Sequence, residues 1–511
     1  MILTVAGILV KLIGAASKIV VSRLLGGEGI GLYQIAYPIY QLAVSIAAAG
    51  LPVAISLMIA EKLADRDMRG VMKIFKVSSV LLSVAGIFFA VLLYIGAEVL
   101  IAEHVIVDAR AYTAIVALIP AMLLVTLLSS LRGYFQGFQY MVPTAVSQIF
   151  EQIFRVGGMV LVVMLLLPEG IEYAAAGATF STFFGIAAGL AVLLFFFVRQ
   201  SGVRRNLMAE QSPDVIPETS AAVAKRLCML AIPVSLAGIM IPIVSATDML
   251  IVPRRLLVAG YSVGSATELF GYLTGMATSL VNFPTILTAS LATGLVPAVS
   301  EAVALRDFDA VRRRTATAMR IACFITIPSF AGLCILEEPV SEMLYATPAA
   351  GTSVAILSLS IFLLGVQQVT TGILQGTGHA ALPMVNLAAA LVVKIALGWY
   401  LTALPSWGIA GAAWATNADF AAAAALNLYF VHRYVGYRID VGALAKISAA
   451  SVCMAAAAFC TYRYVSAGFG NTEAVLAAIA VAVPVYAGLS ALFGVIAKDD
   501  VKHLRRKKGG A

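Results

Sequence analysis

A chain of 511 residues that is 61% hydrophobic and 12% charged, with mean hydropathy +0.98, is no soluble domain, which would carry about 25% charged residues. Its net charge of +8 does not indicate a nucleic-acid partner, because the basic residues alternate with apolar runs instead of forming one patch. Cys228, Cys323, Cys334, Cys453 and Cys460 stand in apolar segments without a CxxC pair, and the four histidines are scattered, so neither a disulfide framework, a metal site nor any other cofactor is expected.

A membrane-crossing helix needs about 20 mostly apolar residues. The chain offers fourteen such stretches, at 2–22, 32–60, 74–97, 110–132, 142–167, 174–198, 227–252, 267–299, 318–336, 352–374, 382–404, 408–431, 444–464 and 474–497. The runs are continuously apolar and lack period-two alternation, which predicts helices and not a barrel. The start, Met1-Ile-Leu-Thr4, lacks a basic n-region and a cleavage site, so it reads as a clipped or late start and not as a signal peptide.

The connections alternate in charge. One side gathers 24 of the 34 basic residues, among them Lys62, Arg66, Arg69, Arg199, Arg306, Arg312, Arg313, Arg314, Arg433 and the tail Lys498 to Lys508. The other side holds Arg23, Arg110, Arg254, Arg255 and Arg463 beside acidic loops such as Glu98, Glu103, Asp108, Glu337 and Glu338. The excess of positive charge places the first side, with both termini, in the cytoplasm.

Four features recur at nearly one offset: Gly31 and Gly271 at 240, Arg66-Asp67 and Arg306-Asp307 at 240, Gln136-Gly137 and Gln375-Gly376 at 239, Pro143 and Pro383 at 240. The duplication predicts an all-α polytopic membrane protein with about 14 transmembrane helices: two pseudo-symmetric six-helix bundles inserted the same way round, plus two extra C-terminal helices, with a substrate site between the bundles. The expected divisions are a first bundle at 1–198, a cytoplasmic linker at 199–225, a second bundle at 226–437, added helices at 438–497 and a basic tail at 498–511.

Charges inside spans single out the candidate site, since each costs roughly 2.5–3.5 kcal/mol at bilayer depth unless it faces a partner or a wet cavity. Lys11 and Lys18 lie two turns apart on one helix face with Gly14 between them, either as an anion-binding stripe or, for Lys18 above all, as a snorkelling side chain. Glu151 and Arg155 have ion-pair spacing, which suits a structural pair as well as a substrate contact. Arg155 matches Lys394 at offset 239, favouring a cation at matched depth in each bundle. Asp248 binds a coupling cation, pairs with Lys11 or partners the nearby Arg254 and Arg255, and Asp419 reads as a packing polar residue. Glu268 with Arg254 and Arg255 forms an outer gate or a solvated loop. Prolines at 38, 52, 120, 233, 242, 284, 297 and 328 suit helices that bend between two states. No HExxH or P-loop is present, so the chain is not expected to be an enzyme or to carry its own ATP motor.

Several stretches together resemble a known group: Lys11-Leu-Ile-Gly14, Gly50-Leu-Pro-Val-Ala-Ile-Ser56, Arg132-Gly-Tyr-Phe-Gln-Gly137, Ser147-Gln-Ile-Phe-Glu-Gln-Ile-Phe-Arg-Val156, Asp248 to Arg255, and Asn282-Phe-Pro284 through Leu295-Val-Pro-Ala-Val-Ser300. The chain resembles the multidrug/oligosaccharidyl-lipid/polysaccharide (MOP) exporter superfamily over almost its whole length, and within it the stage V sporulation protein B-like branch. The resemblance implies a MATE/MOP-like fold, alternating access, and a lipid-linked oligosaccharide substrate such as lipid II turned from the inner to the outer leaflet. In the related lipid II flippases, cavity cations receive the pyrophosphate-sugar head and the last two helices hold the polyprenyl tail; Lys11 matches the cation opening their first-helix motif. Where those flippases often carry an acidic-basic pair before the Phe-Pro of helix 8, this chain has Thr278 and Ser279, which fits the sporulation-type branch better.

A diphosphate cannot cross hydrocarbon bare, so its carrier must offer compensating cations. Lys11, Lys18, Arg155 and Lys394 are therefore the expected head-group site, and Asp248, Glu151, Arg254 and Arg255 the expected coupling or gating residues. The expected partners are the lipid-linked substrate, membrane lipids, and Na+, H+ or the membrane potential as the coupling force. The rivals are a cation-coupled multidrug exporter of the same superfamily, which should show an acidic, aromatic-lined cavity, and a membrane glycan polymerase or ligase, which should show a large external catalytic loop.

Overall fold

In the computed structural model, residues 2–48, 50–209 and 218–494 are described; the middle of the linker and the basic tail at 498–511 lie outside the described residues. Every long element is a helix: α1 (Ile2–Ala48), α2 (Leu51–Ala64), α3 (Met68–Ala102), α4 (Ala111–Val116), α5 (Ile119–Gly137), α6 (Val142–Leu166), α7 (Ile171–Arg199), α8 (Ser201–Ala209), α9 (Ser220–Val258) and α10 (Val263–Gly271). A six-residue π-helical turn, Tyr272–Ala277, leads into α11 (Thr278–Ala304), α12 (Phe308–Ile335), α13 (Glu337–Tyr345), α14 (Gly351–Gly376), α15 (Ala381–Leu401), α16 (Gly408–Val435), α17 (Val441–Val465) and α18 (Asn471–Leu492).

Among the described residues, eleven helical segments are long and apolar enough to cross a membrane, and twelve with α9, which is bent by 54° between Ser235 and Gly238. The first, Ile13–Ala64, runs 52 residues, enough for two crossings of about 20 residues each. The 28-residue α16 falls short on apolarity because Asn417, Asp419 and Asn427 interrupt it, yet it has crossing length. Counting the first segment twice and adding α16 reaches the expected fourteen. Large apolar side chains left exposed along these helices, such as Leu165, Val198, Val392 and Val483, are the surface a lipid solvent requires.

The first two expected spans are not separated by a loop. α1 runs through both and bends at Gly26, whose φ of 64° is open to glycine at no steric cost. The helix resumes beyond the bend with Tyr33, Tyr37 and Tyr40, whereas Lys18 precedes it.

The chain divides into two compact units, one ending at Gly271 and one beginning at Tyr272. In the first, α6 packs along α7, α3 and α2 flank α5, and α1 touches α6, α7, α9 and α10. In the second, α14 is the hub, contacted by α11, α12 and α16; the added pair α17 and α18 pack on each other and reach α12 and α13. Tyr486 of α18 anchors that pair, donating its hydroxyl to the Phe324 carbonyl at 2.8 Å with the two rings 5.1 Å apart.

The duplication is visible in the details of both units. Arg66 and Arg306 share a left-handed backbone, φ 54° and 58°. Each is followed by an aspartate that caps the next helix: Asp67 accepts from the Gly70 amide and Asp307 from the Ala310 amide, both at 2.8 Å. Gly133 and Gly137 let α5 approach α2 so closely that a Cβ would stand 3.0 Å from the Pro52 carbonyl and 3.1 Å from that of Ser56. Gly372 and Gly376 do the same for α14 on α11, at 2.6 Å from the Ala292 carbonyl and 2.9 Å from that of Val296. One contact has swapped its halves. Gly86 faces Thr126 in the first unit, and in the second Thr326 faces Gly365, at offsets of 240 and 239.

Candidate functional site

The charged constellation of the first unit is built on α6. Gly185 and Gly189 of α7 seat its base: a Cβ on Gly185 would stand 2.6 Å from the Glu151 carbonyl and 2.7 Å from Arg155 Cβ, and one on Gly189 would be 3.3 Å from Glu151 Cβ. On the α1 side Gly14 makes room, since a Cβ there would stand 3.1 Å from Gln152 Nε2. Ser17 keeps its hydroxyl on the Gly14 carbonyl at 2.8 Å and so stays out of the way.

Glu151 and Arg155 do not use each other as hydrogen-bond partners. The Glu151 carboxylate accepts from Arg132 of α5 at 2.6 Å, both side chains being about four-fifths buried. Arg155 instead donates to Gln152 Oε1 at 2.6 Å and to the Tyr37 hydroxyl at 3.4 Å. Tyr37 is held by stacking on Tyr33, with centroids 5.3 Å apart, and by Tyr40 at 6.0 Å. The acid is thus ion-paired with Arg132, while the hydrogen bonds of the Arg155 cation go to neutral groups, with the Glu151 charge acting on it only from a distance.

Lys18 lies in the field of Arg155, is exposed, and makes no ion pair among the described residues. The buried Gln152 Nε2 has no hydrogen-bond partner among the described residues, its carbonyl end being taken by Arg155. An ammonium, a guanidinium and an unsatisfied amide donor therefore share one wall with no unpaired carboxylate between them, an arrangement that suits an anion with several oxygens.

The other expected site residues are placed as follows. Lys11 is in α1, but its side chain lies outside the described residues. Lys394 belongs to the second unit and is 4% exposed on α15. Asp248 is half-buried in α9, with Arg254 exposed and Arg255 half-buried toward the end of that helix. Sequence reasoning missed Gln152, Tyr37 and the role of Arg132; the spacing of Tyr33, Tyr37 and Tyr40 on one helix face was the available signal.

A second charged cluster, centred on Asp108 and Arg110 in the connection between α3 and α4, stands where α1 meets α10. Gly31 and Gly271 meet backbone to backbone: a Cβ on Gly271 would stand 2.7 Å from the Gly31 nitrogen, and one on Gly31 would collide with the Thr267 carbonyl. Beside this crossing Arg110 pairs with Glu28 at 2.7 Å and with Asp108 at 2.8 Å, and Thr267 donates to Asp108 at 2.8 Å. Burial works against ionisation of Asp108, but the hydrogen bonds from Arg110 and Thr267 outweigh it and hold the carboxyl below the usual carboxylate range.

Residues 1–303 match the family model for polysaccharide biosynthesis proteins. The chain belongs to that family, within the MOP superfamily. A MatE family model also matches residues 233–400. Stage V sporulation protein B of Bacillus subtilis (strain 168) is 30% identical over 511 residues, 99% of this chain and 96% of that protein. The lipid II flippase MurJ of the same organism is 25% identical over 464 residues, 86% of this chain and 83% of its own. Among solved structures, lipid II flippase MurJ in an inward closed conformation superposes with a TM-score of 0.72 at 16% identity, covering 96% of this chain and 98% of that one. The protein is therefore a multi-pass membrane transporter or flippase with the MATE/MOP-like fold expected from its sequence.

Proposed function

We propose that this protein is a flippase for undecaprenyl-diphosphate-linked peptidoglycan or polysaccharide precursors, lipid II among them, in a bacterial inner membrane, with both termini cytoplasmic. The observation that carries the reading is the pairing pattern on α6. Arg132 neutralises Glu151, so Arg155, Lys18 and the Gln152 amide remain for an anion. Two cations held without a counter-carboxylate complement a diphosphate, and a site of this kind repels an organic cation. Lys11, on the same helix face as Lys18, extends the stripe, and Lys394 supplies the second unit's cation. Asp248, Arg254 and Arg255 on the bent α9 are proposed for coupling or gating, and the Glu151–Arg132 pair for holding the site's charge balance. The relatives' names, one a sporulation protein and one a lipid II flippase, support the substrate class.

The match of residues 233–400 to the MatE model favours the second reading, a cation-coupled multidrug exporter. Proteoliposomes separate the two. Under an imposed ion gradient, leaflet exchange of lipid II or a lipid-linked polysaccharide precursor without efflux of an organic cation supports the flippase. Efflux without lipid exchange supports the exporter.

A further inference from the structure

The second unit contains a cavity of about 440 Å³ between α11 and α14, within the size range of small-ligand sites. Its polar wall is Gln367, Gln368, Thr371 and Gln375 on α14, faced by Thr293 on α11, and no charged residue lines it among the described residues. Three glutamines in the last turns of an apolar span are costly unless the wall is wet. At the matching positions of α5, offset 239, stand Leu128, Ser129, Arg132 and Gln136, so the duplicated stripe carries a cation in one unit and none in the other.

The wall is braced from behind so that its polar atoms have set directions. Asn386 donates to Asn427 Oδ1 at 2.8 Å, and Asn427 donates to the Thr371 hydroxyl at 3.1 Å. Gln367 Nε2 also donates to Thr371, at 3.4 Å, so Thr371 keeps its own proton for the cavity and Gln367 keeps its carbonyl oxygen. Thr288 donates to Gln368 Oε1 at 2.6 Å, which leaves the Gln368 amide nitrogen as a donor. Thr293 donates to the Ala289 carbonyl at 2.9 Å and offers lone pairs. Gln375 is exposed. Fixed donors and acceptors interleaved without charge match a polyhydroxylated neutral ligand.

We propose that this cavity is a saccharide subsite, in which Gln368 and Gln375 hydrogen-bond the sugar of the lipid-linked substrate; the assignment rests on the flippase reading above. The test is equilibrium binding by the full-length protein in nanodiscs to undecaprenyl diphosphate carrying a neutral disaccharide and to bare undecaprenyl diphosphate. Gln368→Leu and, separately, Gln375→Leu should each weaken binding of the sugar-bearing lipid about tenfold and leave the bare lipid unchanged. Gln375 is exposed, so its variant keeps the test open if the other fails to fold. Equal weakening for both lipids, or no weakening for the sugar-bearing one, overturns the subsite while the flippase reading stands. An unmodified protein that binds neither lipid overturns the flippase reading and the subsite with it.

Discussion

The Arg155 guanidinium donates to Gln152 Oε1 at 2.6 Å, three residues earlier on the same helix, and leaves Glu151 to Arg132. This choice of partners decides the charge of the site. A salt bridge between Glu151 and Arg155 would have tied up the guanidinium and left Arg132 without its carboxylate; the observed pairing leaves the Arg155 cation on a neutral amide whose far end, Nε2, is unsatisfied. Gln152→Glu would restore a carboxylate at that point and pair it with Arg155. The expected result is loss of binding to lipid-linked diphosphates by tenfold or more with the fold retained, read as binding of undecaprenyl diphosphate to purified variant and wild type.

The Arg132–Glu151 pair has a structural consequence of its own. Both side chains are mostly buried, the contact is made by Arg132 Nη2, and Arg132 Nε has no hydrogen-bond partner among the described residues. Glu151→Ala strands a buried guanidinium and should destabilise the protein by about 2–3 kcal/mol. The double variant with Arg132→Leu should recover at least half of that. Thermal denaturation in detergent of the two single variants and the double variant completes the cycle; additive losses would contradict the pairing.

The swapped contact between the repeats gives a packing test. A threonine at position 86 would collide with Thr126, since a Cβ there already stands 2.5 Å from its hydroxyl. Gly86→Thr should cost about 1–3 kcal/mol by overpacking. Adding Thr126→Gly recreates the arrangement found at Thr326 and Gly365 and should raise the melting temperature above that of Gly86→Thr alone.

The Asp108 cluster predicts a pH dependence. Its folded-state pKa is depressed, so the stability it contributes is complete above the unfolded carboxyl value of about 3.9 and is lost as pH falls through the lower folded value. The difference in melting temperature between wild type and Asp108→Asn should be constant from pH 7 to about 5 and close only below about 4. A gap that closes above pH 5 would show that the carboxylate is not held by Arg110 and Thr267.

Much of the architecture was legible because bilayer crossing imposes long apolar runs that composition cannot hide. The repeat was legible where local backbone geometry constrains sequence, as at Arg66-Asp67 and Arg306-Asp307, which form the same left-handed turn and cap. The continuity of α1 through Gly26 was not, because a glycine between two apolar runs reads equally as a bend or a loop. In the site, Lys18 and Arg155 stood out through the cost of charge in a span. Gln152 and Tyr37 carry no such cost and leave little trace in sequence. The partner of Glu151 was hidden because helical spacing registers Arg155 on its own helix but not Arg132, which only the packing of α5 brings within reach.

The most direct test of the cationic site is leaflet exchange of lipid II and of a lipid-linked polysaccharide precursor in proteoliposomes under an imposed ion gradient, comparing wild type with Lys18→Ala and Arg155→Ala. The account predicts exchange by the wild type of at least one of these lipids and a loss of tenfold or more in each variant, with unchanged melting temperatures. Exchange that persists at the wild-type rate in both variants would contradict it.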